Sequence, residues 1–286
     1  MGAVFADGLL AGKVAFVMGG TRGMNLAIAT QYAAYGAKVA VMSRNPERCE
    51  SAAAGIREAT GSDAVGIACD ARDYDQVAAA VAQTAEAFGK LDIVVAGQAG
   101  NFYAPVTGMS AKGFRTVVDI DLTGTFNTFK AGFEQLNRRG GSMVAITAPE
   151  AVQALHFQAH VCAAKAGVNQ LIRVCAQEWG PEGVRVNGIS PGPIEGSWGM
   201  SHVASPNPQI VEMIRRAIPL KRWGTEADIA DAALFLASPA ASYINGTILT
   251  VDGGVTIASP EVSRFNSLED VENDPRVRRL SNEETR

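Results

Sequence analysis

The segment Val14-Ala15-Phe16-Val17-Met18-Gly19-Gly20-Thr21-Arg22-Gly23-Met24-Asn25-Leu26-Ala27-Ile28-Ala29 runs from an apolar stretch through a glycine turn into helical spacing. The apolar stretch reads as a buried strand. A helix starting just beyond a strand end points backbone N–H groups and the positive end of its dipole at one spot, where a pyrophosphate can sit. A glycine turn alone is a weak signal, and the strand-turn-helix context strengthens it.

Outward from this unit the same rhythm repeats. Strands are expected at 13–18, 38–42, 64–69, 91–95, 141–147, 184–189 and 247–251. Between them helices are expected at 24–35, 45–59, 73–88, 111–137, 158–179 and 225–237. Strands alternating with helices predict one Rossmann-type, doubly wound parallel sheet with helices on both faces. Residues 191–218 carry Pro191, Pro193, Pro206 and Pro208 with Gly192, Gly196 and Gly199, and read as a mobile lid after strand six. Residues 259–286 are charged and poor in apolar side chains, and read as a flexible tail or an oligomer contact. The expected domain is therefore 1–258.

Composition narrows the function. The chain has 286 residues, 47% of them apolar, which suits one globular domain. A net charge of −4 argues against a nucleic-acid or anionic-membrane partner. Cys49, Cys69, Cys162 and Cys175 lack metal spacing and read as reduced thiols; with only three histidines, no metal site is expected. No apolar run reaches membrane-spanning length, and no signal peptide is recognised. The last residues, Glu-Glu-Thr-Arg286, are not a peroxisomal tripeptide, so the expected compartment is the cytoplasm.

The spacing Gly19-x-x-x-Gly23, followed by Asp70, Ala99-Gly100, Lys165, Pro191-Gly192-Pro193 and Asp252-Gly253-Gly254, resembles the short-chain dehydrogenase/reductase family over about residues 10–255. Met18 departs from the usual Thr, and Asn25 from the third glycine of the turn. The Asn25 side chain narrows the gap between helix and strand, where it is tolerated, shifts the pyrophosphate or bonds to it. The resemblance implies cofactor contacts from Gly19, Thr21, Arg22, Gly23, Met24, Ser43, Arg44, Asp70, Ala71, Gly97, Lys165, Pro191, Gly192 and Ile194. The end of strand two, Met42-Ser43-Arg44-Asn45, lacks the acid that would bind a ribose 2′-hydroxyl. Arg22 and Arg44 can instead flank a 2′-phosphate, which predicts NADP(H).

The family's carbonyl reductases protonate an alkoxide with a Tyr whose pKa a Lys lowers, with a Ser and an Asn nearby. Lys165 is present, but the Tyr position is Val161, the Ser position Ala148 and the Asn position Asp121. Neither Val nor Ala can donate a proton. Three readings stay open: a catalytically weak NADP-binding scaffold or sensor, a carbonyl oxidoreductase with His160 or His156 as stand-in acid, or a reductase whose proton arrives elsewhere. Asn101-Phe102, the run Asp119-Ile120-Asp121-Leu122-Thr123-Gly124-Thr125-Phe126-Asn127, His160 five residues before Lys165, and Glu178-Trp179-Gly180-Pro181 are similar to the peroxisomal-type 2,4-dienoyl-CoA reductases of the same family. That resemblance implies hydride addition to the far end of a conjugated thioester. A water held by Asp121 and Lys165 would deliver the proton.

Asn101, the backbone around Phe102 and the cofactor ribose are candidate donors to the thioester oxygen. Phe102 and Phe157 either bracket a planar substrate or belong to the core, and His160 either contacts substrate or only lines a helix face. Asp119 should lie about 200° around the helix from Asp121. Arg72, Lys112, Arg115 and Arg215 are candidates for the CoA phosphates. The family's habit of pairing through the 111–137 and 158–179 helices implies a homotetramer.

Overall fold

The structure, a computed structural model, describes residues 5–197, 207–259 and 261–274. Its strands are β1 (Val14–Met18), β2 (Lys38–Ser43), β3 (Ala64–Ala68), β4 (Ile93–Ala96), β5 (Ser142–Ile146), β6 (Arg185–Pro191) and β7 (Ile248–Val251). All pair in parallel, in the order β3-β2-β1-β4-β5-β6-β7. β1, β4 and β5 are buried along their whole length, which is why they read as unbroken apolar runs rather than alternating ones. Strand order reverses between β1 and β4. The crevice above their carboxyl ends is where sheets of this kind bind ligands.

Successive residues of a strand face opposite sides, so β1 feeds two cores. Ala15 and Val17 pack with helices α1 (Gly23–Ala34), α2 (Pro46–Thr60) and α8 (Glu226–Ala237) on one face. Val14, Phe16 and Met18 pack with α3 (Tyr74–Phe88), α5 (Gly124–Gln135) and α6 (Ala159–Trp179) on the other. Side-chain caps set several starts. Asn45 caps α2 ahead of Pro46, Asp73 caps α3, and Thr225 and Asp228 form a capping box on α8.

The helix expected at 111–137 is broken. α4 (Ala111–Val118) passes into a π-turn at Asp119–Thr123 before α5 begins, and the N–H of Gly124 donates to the carbonyl of Asp119 five residues back. β4 starts at Ile93 rather than Leu91, which makes only an isolated bridge to Leu136. Within the segment expected as a lid, 191–197 and 207–218 are described and 198–206 lie outside the described residues. It contains α7 (Pro208–Ala217), capped by Asn207. After β7 the chain turns back, and Lys221 Nζ donates to the carbonyl of Val262 at 2.7 Å. The short helix α9 (Leu268–Glu272) follows, and residues 275–286 lie outside the described residues.

Candidate active site

The ends of β1 and β4 form a glycine cradle. Gly19 has φ +77°, and a Cβ there would lie 3.0 Å from the backbone nitrogen of Gln98. Only glycine meets both demands without strain. Arg22 precedes α1 in extended conformation, and no side chain caps the helix, nor is there an acid in its first turn. The first N–H groups of α1 therefore keep their donor capacity beside the cradle. Asn25 does not reach over it: its Nδ2 donates to the carbonyl of Gly97 at 2.6 Å, while its buried Oδ1 has no partner among the described residues. Asn25 is thus a brace between α1 and the turn after β4, and a Cβ on Gly97 would collide with its amide. Gly97→Ala is expected to cost about 1–3 kcal/mol through overpacking. Thermal unfolding should show much of that loss recovered in Asn25→Ala/Gly97→Ala; purely additive losses would show that the two positions do not share this space.

Arg22 and Arg44 are exposed and form no ion pair among the described residues. Asp70 is held by the Arg72 guanidinium, Nε lying 3.0 and 3.1 Å from the two carboxylate oxygens. Those hydrogen bonds keep its carboxyl below the usual carboxylate range. Arg72 is thereby committed, and so is Arg215, bound by Glu212 at 2.7 Å. Lys112 and Arg115 of α4 are exposed and unpaired among the described residues. Burial pushes the Cys69 thiol up to about 12 and the Cys175 thiol to about 11, so both stay protonated near neutrality.

Beyond the cradle two charges meet inside the protein. Asp121, 1% exposed, lies in the π-turn, and its Oδ1 accepts the N–H of Gly100 at 2.7 Å. Lys165 comes from the buried face of α6, which also carries His160, Val161, Ala164 and Val168. Its Nζ lies 3.3 Å from Asp121 Oδ2 and donates to the Ile146 carbonyl at 3.0 Å. Asp121 Oδ2 makes no hydrogen bond among the described residues. The Thr125 hydroxyl takes the Asp121 carbonyl at 2.6 Å, and Gln98 Nε2 donates to that hydroxyl at 3.1 Å. Asp119 remains partly exposed, so the two acids do part, although the wider π-turn sets their relation.

His160 is 0% exposed, and neither ring nitrogen has a partner among the described residues. Its ring meets Phe102 edge-on, centroids 4.2 Å apart and planes at 74°. Burial lowers its pKa; the backbone groups of Gln158 and Phe102, which face the ring without forming a well-aligned hydrogen bond, and the charge of Asp121 oppose this only in part. Asn101 Nδ2 donates to Gln158 Oε1 at 3.1 Å, joining the loop after β4 to the start of α6. Phe102 is 37% and Phe157 53% exposed, so neither is a core aromatic. Phe157 has φ +66°, a strained conformation for a bulky residue, and its carbonyl accepts the N–H of Ala104 at 3.1 Å. His156 is exposed beside Phe157, away from the buried pair.

Three supports were not expected from the sequence: the Gly100 N–H, the Ile146 carbonyl and the Gln158 amide. The first two are main-chain groups that leave no residue-type signal. Gln158 sits where the helix of Lys165 begins, and only the fold brings it to Asn101.

Residues 19–256 match the enoyl-(acyl carrier protein) reductase family. A peroxisomal 2,4-dienoyl-CoA reductase of Saccharomyces cerevisiae is 43% identical over 86% of this chain and 85% of its own length. This chain belongs to the short-chain dehydrogenase/reductase family. A D-threitol dehydrogenase of Mycolicibacterium smegmatis is 39% identical over 88% of this chain and 95% of its own. The solved structure of a citronellol catabolism dehydrogenase of Pseudomonas aeruginosa superposes with TM-score 0.78 at 32% identity, covering 90% of this chain and all of that one.

As a short-chain dehydrogenase/reductase the chain is an oxidoreductase, and its fold implies a nicotinamide cofactor. The residues present fit one: a glycine cradle with no room for a Cβ, an uncapped helix start, and Lys165 beyond it. At the position of this family's usual Tyr, Val161 is buried, and Ala148, in place of the Ser, lies in extended backbone before a short turn. Neither offers a hydroxyl to Lys165, whose carboxylate neighbour is Asp121.

Proposed function

We propose that this protein is an NADPH-dependent reductase of a conjugated C=C bond in a 2,4-dienoyl-CoA or a related enoyl thioester. The observation that carries this is the buried Asp121–Lys165 ion pair, in a site where the position of a carbonyl reductase's Tyr is Val161 and offers no hydroxyl. The similarity to 2,4-dienoyl-CoA reductases, whose names give a (3E)-enoyl-CoA product, supports the same reading.

Arg22 and Arg44 would hold the 2′-phosphate. Gly19, Thr21, Gly23 and Met24 would face the pyrophosphate, Ser43, Asp70, Ala71 and Gly97 the adenosine half, and Lys165, Pro191, Gly192 and Ile194 the nicotinamide half. NADPH held there would supply a hydride for the far end of the diene, and the residues around it would meet the resulting dienolate. Asp121 Oδ2 and Lys165 Nζ hold a water between them; this water protonates carbon 2 and takes a proton back from the Lys165 ammonium. Two conjugated double bonds become one, between carbons 3 and 4. Phe102 and Phe157 form apolar walls at the mouth, and Lys112 and Arg115 are the basic side chains nearby without an ion pair, suited to CoA phosphates. Residues 191–218 act as the lid and 259–286 as the tail of one catalytic domain. We read the assembly as a homotetramer, without nucleic-acid or membrane partners, in a reducing compartment such as the cytoplasm.

The second reading, oxidoreduction of a carbonyl or hydroxyl group with His160 as acid, is favoured by the likeness to a D-threitol dehydrogenase. NADPH oxidation by a panel of 2,4-dienoyl-CoAs, enones and ketones separates the two. Dienoyl-CoA turnover with negligible ketone turnover is expected. Ketone reduction lost in His160→Ala would favour the second reading, and NADPH binding without oxidation by any substrate would leave a scaffold.

A further inference from the structure

The site holds a buried imidazole that the Asp121–Lys165 pair does not use. Four side chains there carry buried polar atoms without hydrogen-bond partners among the described residues: Asp121 through Oδ2, Gln98 through Oε1, Asn101 through Oδ1, and His160 through both ring nitrogens. The unpartnered atoms of Asp121, Gln98 and Asn101 are all acceptor oxygens. Other donors nearby already make bonds within the protein: the Asn101 amide to Gln158, the Gly100 N–H to Asp121, and the Lys165 ammonium to the Ile146 carbonyl, with Asp121 as its ion-pair partner. A neutral imidazole has one N–H to give. Phe102, packed edge-on, limits how the ring can turn. A buried polar group left unpaired is costly and is seldom kept without a ligand to satisfy it.

We propose that the neutral imidazole of His160 donates the hydrogen bond that holds the substrate's thioester oxygen as negative charge gathers there. This rests on the thioester reading above. No proton is transferred: the N–H stays on the ring, and the proton for carbon 2 comes from the water at Asp121 and Lys165. The burial of His160 strengthens such a bond and disfavours an imidazolium, which sets this role apart from that of an acid.

The test uses the full-length protein, NADPH and 2,4-hexadienoyl-CoA. His160→Leu should lower kcat about 100-fold, the loss typical of one oxyanion donor. Its KM for NADPH should be unchanged, and its Tm unchanged or raised because an unpaired polar group is gone. His160→Gln, or His160→Asn, should recover most of the rate, since an amide N–H donates but does not titrate. With wild-type protein and NADP+, the absorbance of bound dienoyl-CoA should shift to longer wavelength as its carbonyl is polarised, and His160→Leu should abolish that shift. Undiminished kcat in the Leu variant removes this role alone. Amide variants as slow as the Leu variant make the imidazole a proton donor instead and overturn the proposal. Wild-type protein that leaves 2,4-hexadienoyl-CoA untouched removes the thioester reading, and this role with it.

Discussion

Asp121→Asn is expected to lower kcat with a 2,4-dienoyl-CoA by about 10²–10⁴-fold, the usual worth of a positioned proton-transfer group. NADPH binding, followed by cofactor fluorescence, should persist. The substitution keeps an oxygen for the Gly100 N–H, now accepted at 2.7 Å, and removes only the charge. Lys165, 5% exposed, would then keep the Ile146 carbonyl as its hydrogen-bond acceptor but lose its counter-charge. Breaking one side of a buried pair costs about 3–5 kcal/mol, whereas removing both charges is often close to neutral. Asp121→Asn/Lys165→Met should therefore unfold near the wild-type temperature yet remain inactive. That pattern separates lost chemistry from lost folding. Wild-type turnover in the Asn variant would end the proton-delivery role.

Coenzyme choice should reverse at two exposed arginines. Arg22→Ala/Arg44→Ala is expected to raise the KM for NADPH by about 100-fold, from two charge-assisted contacts each discounted for exposure. The KM for NADH should hardly move. Placing an acid after β2, as in Arg44→Asp, should favour NADH, because a carboxylate accepts from the ribose hydroxyls and repels a 2′-phosphate. The NADPH preference should also weaken with added salt, since exposed charges are screened. Equal NADPH and NADH kinetics in wild-type protein would remove the phosphate-binding role from both residues. Asp70 does not compete for this role, because its carboxylate is bound by Arg72.

The strands were legible because a parallel sheet covered on both faces needs apolar residues at every position, and β1, β4 and β5 have them. The helix starts were legible where a side chain announces them, as at Asn45, Asp73 and Thr225. The π-turn was not. Asp119–Thr123 continues the pattern of an unbroken helix, and no residue type in it announces the wider turn. Asn25 showed a similar limit. It was visible as a departure from the glycine pattern, but its partner, Gly97, lies 72 residues away.

By itself the sequence determined the architecture and the cradle, because these depend on residue type, period and spacing. The missing acid and the pair Asp121 and Lys165 were singled out through the resemblance to a known family. Only the tertiary structure decided that the two charges lie 3.3 Å apart and buried, that Arg72 and Arg215 are already committed, and that His160 is buried without a well-formed hydrogen bond among the described residues. The physical reason is that burial and pairing depend on groups brought together from distant strands and loops. Several of those groups, such as the Gly100 N–H and the Ile146 carbonyl, belong to the main chain, which is the same at every position of a sequence.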